Sequence, residues 1–353
     1  FFKRLIVHSF YLIIRVFNHF RKLTYDRDSI VILAFHKLGD TVFTIPAIKN
    51  IINIHKAKVF IFCHPESKEI FELAIIGVEY CTFPQNAFFY NKMISKRVVR
   101  SKLNKINPDT IYDFTGSIKS ASIIFNSKAA EKIGTNKLIY RSLYTKFTPL
   151  RIEPHCIDIY MDVVRLNTID IKYERTFKKL LNINQRIVLH PFAGWPAKEW
   201  SLRKYIRLAE LLSSEFNCEI LIQGSRIMSA DILREIKLLN INLFICNTVN
   251  DMIERIRNAF YFIGNDSGPV HIANLLGVPT FTIYGPTNPV YHKPLVGMNS
   301  YIQKKIICSP NPQQKICFTS GGRFGCPAFN CLDTLSVKEV YNSIKKHIEL
   351  ITV

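Results

Sequence analysis

Residues 264–289 read GNDSGPVHIANLLGVPTFTIYGPTNP. An acidic residue, a small hydroxyl residue, a glycine and a histidine stand where an apolar strand, YFIGND, gives way to a helical pattern, SGPVHIANLL. The first turn of such a helix offers unsatisfied backbone N–H groups and the positive end of the helix dipole. Gly268 permits close approach, and Pro269 suits an early helical position. The stretch is therefore expected to receive an anion, and phosphate suits it. Asp266 would repel a phosphate, but it can accept hydrogen bonds from sugar hydroxyls. His271 follows Ser267 by four residues, one helical turn, and can face the same ligand. The plainer reading is an ordinary strand–helix turn with Asp266 as its N-cap. A second loop of the same kind, YGPTNP, follows at once, which weakens a purely capping account.

Groups of this kind need a scaffold, and the chain supplies strands alternating with helices. After Asp28, SIVILAFHKLGDTVFTIPAIKNII reads as strand, short turn and a helix from about Asp40. KVFIFCH is a strand and SKEIFELAII a helix; DTIYDFTGSIKSASIIF is strand, Gly-Ser loop and helix. The pattern restarts near Gln185, where RIVLHPFAGWPAKEWSLRKYIRLAELL reads as strand, long loop and helix. CEILIQGS, NLFIC, YFIGND and TFTIYG are further strands, separated by the helices ADILREIKLL, VNDMIERIRNA and SGPVHIANLLG. Such alternation predicts α/β architecture, with parallel sheets covered by helices on both faces. We expect a first domain over residues 25–175, a second over 176–335 and an amphipathic terminal helix over 336–353. The polar, weakly patterned stretch 167–185 is the expected hinge. Sheets of this class bind ligands beyond the carboxyl ends of their strands, so the predicted site lies in a cleft between the two domains.

Charge narrows the partners. The 353 residues carry 47 Lys and Arg against 27 Asp and Glu, a net charge of +20. A hydrophobic fraction of 48% excludes a disordered chain. Polyanions are therefore the expected partners: phosphorylated substrates, an anionic membrane face or nucleic acid. No zinc finger, RNP aromatic pattern or long basic arm supports nucleic acid. The opening segment, residues 1–24, has charges throughout and no small-residue cleavage site, so it is read neither as a signal peptide nor as a transmembrane span. On a helix, Lys3, Arg4, His8, Arg15, Asn18, His19, Arg21 and Lys22 fall within an arc of about 160°. Phe2, Ile6, Ile13, Phe17, Phe20 and Leu23 lie opposite, which predicts a helix lying in an anionic membrane interface. A helix packed on its own domain is the alternative. An odd count of nine cysteines without a cleavable signal favours a reducing cytoplasm. Cys308, Cys317, Cys326 and Cys331 cluster as C-x8-C-x8-C-x4-C, without the CxxC knuckle usual in structural zinc sites. Reduced thiols packing a Gly-rich loop are the favoured reading, with a bound metal or a disulfide as alternatives.

HKLGDTVFTIPAIKNI, YDFTGSIKS, HPFAGWPAKEWS and the stretch quoted first resemble, in order and spacing, the successive signatures of glycosyltransferase family 9, the bacterial ADP-heptose:lipopolysaccharide heptosyltransferases. The likeness runs from about residue 29 to 350, and the combination is specific where one piece alone would be weak. It implies a GT-B fold of two Rossmann-like domains with a terminal helix crossing back to the first. It implies an inverting, metal-independent transfer of heptose from a nucleotide donor, ADP-heptose, with no cofactor. The acceptor would be a hydroxyl of the lipopolysaccharide inner core, at the cytoplasmic face of the bacterial inner membrane, and the protein would be peripheral there.

The resemblance carries roles onto particular positions. Asp40, of the LGD motif, would be the general base that takes the acceptor proton, with capping of the helix at 41–52 as the bland alternative. Lys198 would neutralise charge on the departing diphosphate, which something must do when no metal does. Asp266, Ser267, Gly268 and His271 would hold donor sugar and diphosphate, with Gly194, Gly224 and Thr287 in neighbouring donor loops. Family members often carry a ribose-binding acid beyond the Gly224 turn; here the turn reads QGSRIMSAD and no carboxylate aligns clearly. His36, Lys37, Gly116, Ser117 and Lys119 are the acceptor-side candidates. Trp200 is expected to pack under helix 201–213 rather than on a ligand.

Three rivals keep part of this reading: a transferase of the same fold using another nucleotide sugar for O-antigen or capsule, a non-catalytic membrane-associated protein that binds polyanions, and a sugar-nucleotide epimerase sharing the donor cleft. The catalytic reading retains Asp40, Lys198, Asp266 and His271 together, which disfavours a decayed site. Deleting residues 1–24 is expected to shift the protein from the membrane to the soluble fraction on sedimentation; unchanged partitioning would refute the interfacial helix.

Overall fold

In a computed structural model, the described residues are 29–84, 93–135, 141–148, 155–167, 185–295, 297–317, 326 and 330–352. The interfacial helix expected over residues 1–24 lies outside them. The chain divides into two compact units, Phe1–Tyr173 and Glu174–Val353.

In the first unit, strands β1 (Ser29–Leu33), β2 (Lys58–Cys63), β3 (Glu79–Thr82), β4 (Thr110–Asp113), β5 (Glu131–Gly134) and β6 (Lys146–Phe147) form one sheet in the order β3-β2-β1-β4-β5-β6. All its pairings are parallel. Crossover helices cover both faces, so the central strands are apolar without alternation: Ile30 to Leu33 and Val59 to Cys63 are all buried. Between the strands run α1 (Leu38–Ile54), α2 (Pro65–Glu72), α3 (Met93–Ile106) and α4 (Ile118–Ile124), and α5 (Cys156–Arg165) follows the sheet. Val31, Leu33, Phe60 and Phe62 pack with Val99 and Leu103 of α3 and Ala121 and Ile124 of α4.

Helix α1 begins at Leu38, earlier than the sequence pattern suggested. Lys37 stands extended as the N-cap without a side-chain cap, and its carbonyl accepts from both the amide (2.9 Å) and the hydroxyl (3.0 Å) of Thr41. That bond extends the helix across the Gly-Asp pair. Asp40 therefore lies in the first helical turn rather than in a loop, where the dipole favours its carboxylate.

The second unit repeats the plan. Strands β7 (Arg186–His190), β8 (Asn217–Gln223), β9 (Asn242–Cys246), β10 (Tyr261–Asn265), β11 (Thr280–Tyr284) and β12 (Asn299–Gln303) are ordered β12-β11-β10-β7-β8-β9, again all parallel. The helices are α6 (Leu202–Leu212), α7 (Ala230–Leu238), α8 (Val249–Arg257), α9 (Gly268–Leu275), the short α10 (Pro289–His292) and α11 (Asn330–Asp333), and α12 (Val337–Thr352). One face of the sheet is closed by α6 and α12, through Tyr205, Leu208, Leu212, Val340, Ile344 and Ile348. Trp200 is fully enclosed in this core, edge-on to Tyr205 at 5.2 Å, and its indole N–H donates to the Leu335 carbonyl at 3.0 Å. It packs under α6, as its sequence context predicts. Read from their own first strands, both sheets have the order 3-2-1-4-5-6. Each therefore has one switch point, at β1/β4 and at β7/β10, where successive crossovers leave to opposite sides and a crevice opens at the carboxyl edge.

Among the described residues no helix is long and apolar enough to cross a membrane. Trp200→Ala removes both packing and an indole bond and is expected to cost about 3–5 kcal/mol, read as a lowered midpoint in denaturant titration followed by circular dichroism.

Candidate active site

In the second unit, the chain leaves β7 and β10 at the switch point, and two loops meet there. The loop after β7 ends in a 3-10 turn, Pro196–Lys198. The loop after β10 is Asp266–Ser267, which leads straight into α9. Lys198 Nζ donates to Asp266 Oδ2 at 2.5 Å and approaches the Asp266 carbonyl at 3.3 Å. The Thr287 hydroxyl, from the loop after β11, donates to the same carboxylate oxygen at 2.7 Å. Three loops expected from sequence to share one ligand thus converge on a single carboxylate.

The electrostatics of that carboxylate are unusual. Asp266 is 4% exposed. Burial alone would raise its carboxyl pKa, but Lys198, His292 and His271 act against it and hold the group at about 2. His271 lies buried on α9 near this charge, one turn in, as the spacing required. Asp266 does not cap α9. Ser267 is the N-cap residue, yet its side chain makes no capping bond, and its buried hydroxyl oxygen has no hydrogen-bond partner. Gly268 opens the helix and Pro269 follows it, so the first turn presents backbone N–H groups beside Ser267. The arrangement pairs one ammonium, one carboxylate and a helix N-terminus, and can serve a ligand with a diphosphate next to hydroxyl groups.

Several supporting residues escaped the sequence reading. Asn265 Oδ1 accepts from the Trp200 amide and the Tyr205 hydroxyl, both at 3.1 Å, while its Nδ2 donates to the Pro191 carbonyl at 2.7 Å. It ties β10 to both ends of the Lys198 loop. Gln303 Nε2 donates to the carbonyls of Gly285 (2.9 Å) and Thr287 (2.7 Å) and fixes the third loop. Asn265 sits inside the GND signature, so its position was visible; its role needed the loop geometry. Gly194 is exposed on the Lys198 loop, with open space where a Cβ would stand. Gly224 lies exposed at the end of β8, and a Cβ there would collide with the Asn247 side chain. His190, at the end of β7, is buried; burial foremost, with Arg226 adding, pushes its pKa down to about 4 and keeps it neutral at pH 7.

The first unit has its own cluster at the β1/β4 switch point. Asp40 and Lys37 are exposed and His36 half-buried at the start of α1. His36 meets the Tyr160 ring of α5 edge-on at 5.6 Å. The Tyr160 phenol is driven well above its ordinary pKa by burial first and then by Asp40, Cys156 and Asp113, so both carboxylates bear on it. Asp113 is buried at the end of β4, accepting from the Tyr144 hydroxyl at 2.8 Å and the Gly116 amide at 2.9 Å. Gly116 has φ 51°, a left-handed turn that glycine adopts without strain. Ser117 caps α4 in a capping box with Ser120, which engages both its hydroxyl and its amide. Lys119 stands in the first turn of α4, its pKa lowered by partial burial and by Lys96. Tyr160 was not singled out from sequence, because α5 lies far from either signature in the chain; Asp113 lies inside the YDFTGSIKS signature, but its bonds to Tyr144 and Gly116 needed the loop geometry.

None of the nine cysteines is in a disulfide. The Cys331 thiol is pushed up to about 11, by burial first and then by neighbouring Cys317, Cys326 and Cys308. Cys308, Cys317 and Cys326 thus lie near enough to Cys331 to bear on its thiol. Among the described residues no group of three or more Cys, His, Asp or Glu side chains is arranged to hold a metal ion.

The family model for glycosyltransferase family 9 (heptosyltransferase) matches residues 97–326. The chain belongs to that family, and it is a glycosyltransferase. It is 26% identical to lipooligosaccharide heptosyltransferase 2 of Campylobacter jejuni serotype O:2 over 300 residues, covering 79% of this chain and 88% of that one. It is 27% identical to lipooligosaccharide heptosyltransferase 2 of Haemophilus influenzae over 211 residues, which spans 51% of this chain and only 61% of the relative's length. The solved E. coli heptosyltransferase WaaC with ADP-2-deoxy-2-fluoro heptose superposes with a TM-score of 0.66 at 14% identity, covering 90% of this chain and 99% of that chain. The structural likeness supports the GT-B class of two Rossmann-like units.

Because the folded pKa of Asp266 is depressed, the group contributes stability that is present above its unfolded pKa of about 4 and lost as pH falls through about 2. Asp266→Asn is expected to flatten the pH dependence of unfolding free energy across that window. A slope equal to that of the wild type would show that Lys198 does not hold the carboxylate.

Proposed function

We propose that the protein transfers a heptose from ADP-heptose to a hydroxyl of a lipopolysaccharide inner-core acceptor, with inversion and without a metal. The observation that carries this reading is the meeting of Lys198, Asp266 and Thr287 at the switch point of the second sheet. A departing nucleoside diphosphate leaves negative charge, and a preorganised ammonium beside a helix N-terminus is suited to stabilise it. Ser267 and Gly268 would receive the diphosphate, with Gly194 and Gly224 in the flanking loops. Lys198 would move from Asp266 onto phosphate oxygen, freeing Asp266 to accept hydroxyl protons from the donor sugar. His271 would face the same sugar.

In the transfer step the acceptor oxygen forms a bond to the anomeric carbon while the bond from that carbon to the phosphate oxygen breaks. The electron pair leaves with the diphosphate. The acceptor proton passes to Asp40, exposed in the first turn of α1. His36, Lys37 and Lys119 supply the cationic surroundings for a phosphorylated acceptor, and the Gly116–Ser117 turn shapes the loop beside them. The names of the Campylobacter and Haemophilus relatives and the sugar nucleotide bound to WaaC support this donor and this acceptor class. A net charge of +20 and the pattern of residues 1–24 support a peripheral place on the anionic cytoplasmic face of the inner membrane.

A second reading keeps the fold and the chemistry but changes the nucleotide. It is favoured by one observation: the turn after β8, where the resemblance calls for a ribose-binding acid, carries Arg226, already bonded to Glu199. Titration of the purified protein with ADP-heptose, ADP, UDP and GDP, without divalent metal, separates the two. ADP-heptose is expected to bind most tightly; a preference for UDP or GDP would move the function to another sugar. Asp40→Asn is expected to lower transfer by about 100-fold or more while leaving the donor Kd unchanged. Retention of most activity would remove Asp40 from the base role.

A further inference from the structure

We infer that Arg226 is a positioning residue for Lys198, acting through Glu199; this rests on the donor-site role proposed above for Lys198. Lysine has a long, flexible side chain, and holding its ammonium at one point costs rotamer entropy unless its backbone is held as well. The loop carrying Lys198 leaves β7 at His190 and re-enters the core at Trp200. Arg226, in the turn after β8, closes this loop on itself.

The geometry is specific. Glu199 Oε1 accepts from the Ala193 amide at 3.0 Å and from Arg226 Nη2 at 2.9 Å. The same Nη2 donates to the Ala193 carbonyl at 2.8 Å. Both backbone polar groups of Ala193, at the start of the loop, are thus satisfied, one by the carboxylate at the loop's end and one by a guanidinium from the turn after β8. The guanidinium carbon also lies 4.9 Å from the centroid of the Phe192 ring, a cation–π contact. Glu199 is extended, with φ −90° and ψ 110°. Lys198 closes the 3-10 turn with its ammonium on Asp266, while Glu199, extended just after it, meets the Ala193 amide and Arg226, so anchoring Glu199 fixes the backbone that carries Lys198.

Charge adds a second reason. A carboxylate adjacent in sequence to a phosphate-facing ammonium would repel a diphosphate if it swung free. Arg226 holds it on the opposite side and balances it. A partly exposed ion pair of this kind adds little to global stability. Its effect is expected in the placement of Lys198, where a small displacement weighs heavily on rate. Arginine suits the task because its rigid fork bonds several acceptors while its face stacks on an aromatic ring.

Two measurements test this. In the first, lysines of the full chain are acetylated with limiting acetic anhydride, and the rate at each site is read by mass spectrometry. Lys198 is expected to react severalfold faster in Arg226→Ala than in the wild type. Lys204, whose ammonium is bonded to the carbonyls of Leu332, Asp333 and Leu335, should keep its rate. An unchanged Lys198 rate would overturn the proposal. If Arg226→Ala also exposes Lys204, the fold has loosened; Glu199→Gln, which keeps an acceptor for the Ala193 amide but removes the charge, then decides by the same readout. The second measurement is a double-mutant cycle in heptose transfer. Arg226→Ala is expected to lower kcat/KM by about 10- to 100-fold, mainly through kcat, and Arg226→Lys to restore part of it. In a Lys198→Ala background the same substitution should cause little further loss, whereas additive losses would refute action through Lys198. If the wild type transfers no heptose from ADP-heptose, the proposed donor falls, and the labelling rates still decide the role of Arg226.

Discussion

One buried ion pair organises the second unit. Lys198 and Asp266 come from loops 68 residues apart in the chain, and their contact is almost out of water. Desolvating two charges is costly unless other groups satisfy them. The Thr287 hydroxyl, the fields of His271 and His292, and the anchoring of the Lys198 loop by Asn265 answer that cost. Such a pair is poor as a mere stabiliser and well suited as a reserve of charge that a ligand can take over. A diphosphate arriving at α9 would offer the ammonium a partner of higher charge, and the released carboxylate would then be ready for hydroxyl donors.

The pair exists because of strand order. Both sheets follow the order 3-2-1-4-5-6 and are parallel throughout, so within each sheet the described strands all end at one carboxyl edge, the side where sheets of this class bind ligands. The crossovers after β7 and β10 leave to opposite sides, and the loops must open a crevice before their helices can pack. The loop after β7 is long because it must carry Lys198 into that crevice and still bring Trp200 back under α6. In the first unit the same order places the start of α1 beside the Gly116 turn. There the exposed Asp40 and the buried Asp113 have opposite fates: one carboxylate is kept open to solvent, while the other is spent on Tyr144 and Gly116.

Most central elements could be read from sequence, for a physical reason. Buried parallel strands are short apolar runs, and the helices between them keep an amphipathic period, so β1, β2, β7, β8, β10 and β11 announce themselves. The outer strands β3, β5, β6 and β12 do not. β3 has four residues, EYCT, with one buried side chain, and α3 is so rich in Lys and Arg that its apolar stripe reduces to Val99, Leu103 and the partly buried Ile106 among the described side chains. The start of α1 was also misplaced, because a Gly-Asp pair ordinarily marks a turn, and only the double acceptance by the Lys37 carbonyl extends the helix across it.

The residue types of the site were legible because chemistry restricts them. An anion-binding turn needs glycine and free N–H groups, and a metal-free diphosphate site needs a cation. Asp266, Ser267, Gly268 and His271 were therefore expected from order and spacing, and Lys198 from the family resemblance that the four motifs carry together. Pairing was not legible. Nothing local in GNDSG says that Ser267 rather than Asp266 occupies the cap position, or that Asp266 is held ionised by a lysine from another loop. Nor does AKEW tell that Glu199 turns away to meet Arg226, or YDFTGS that Ser117 closes a capping box. Those outcomes depend on which loops the strand order brings side by side and on how deeply each charge is buried, and such distances arise only when the sheets are assembled.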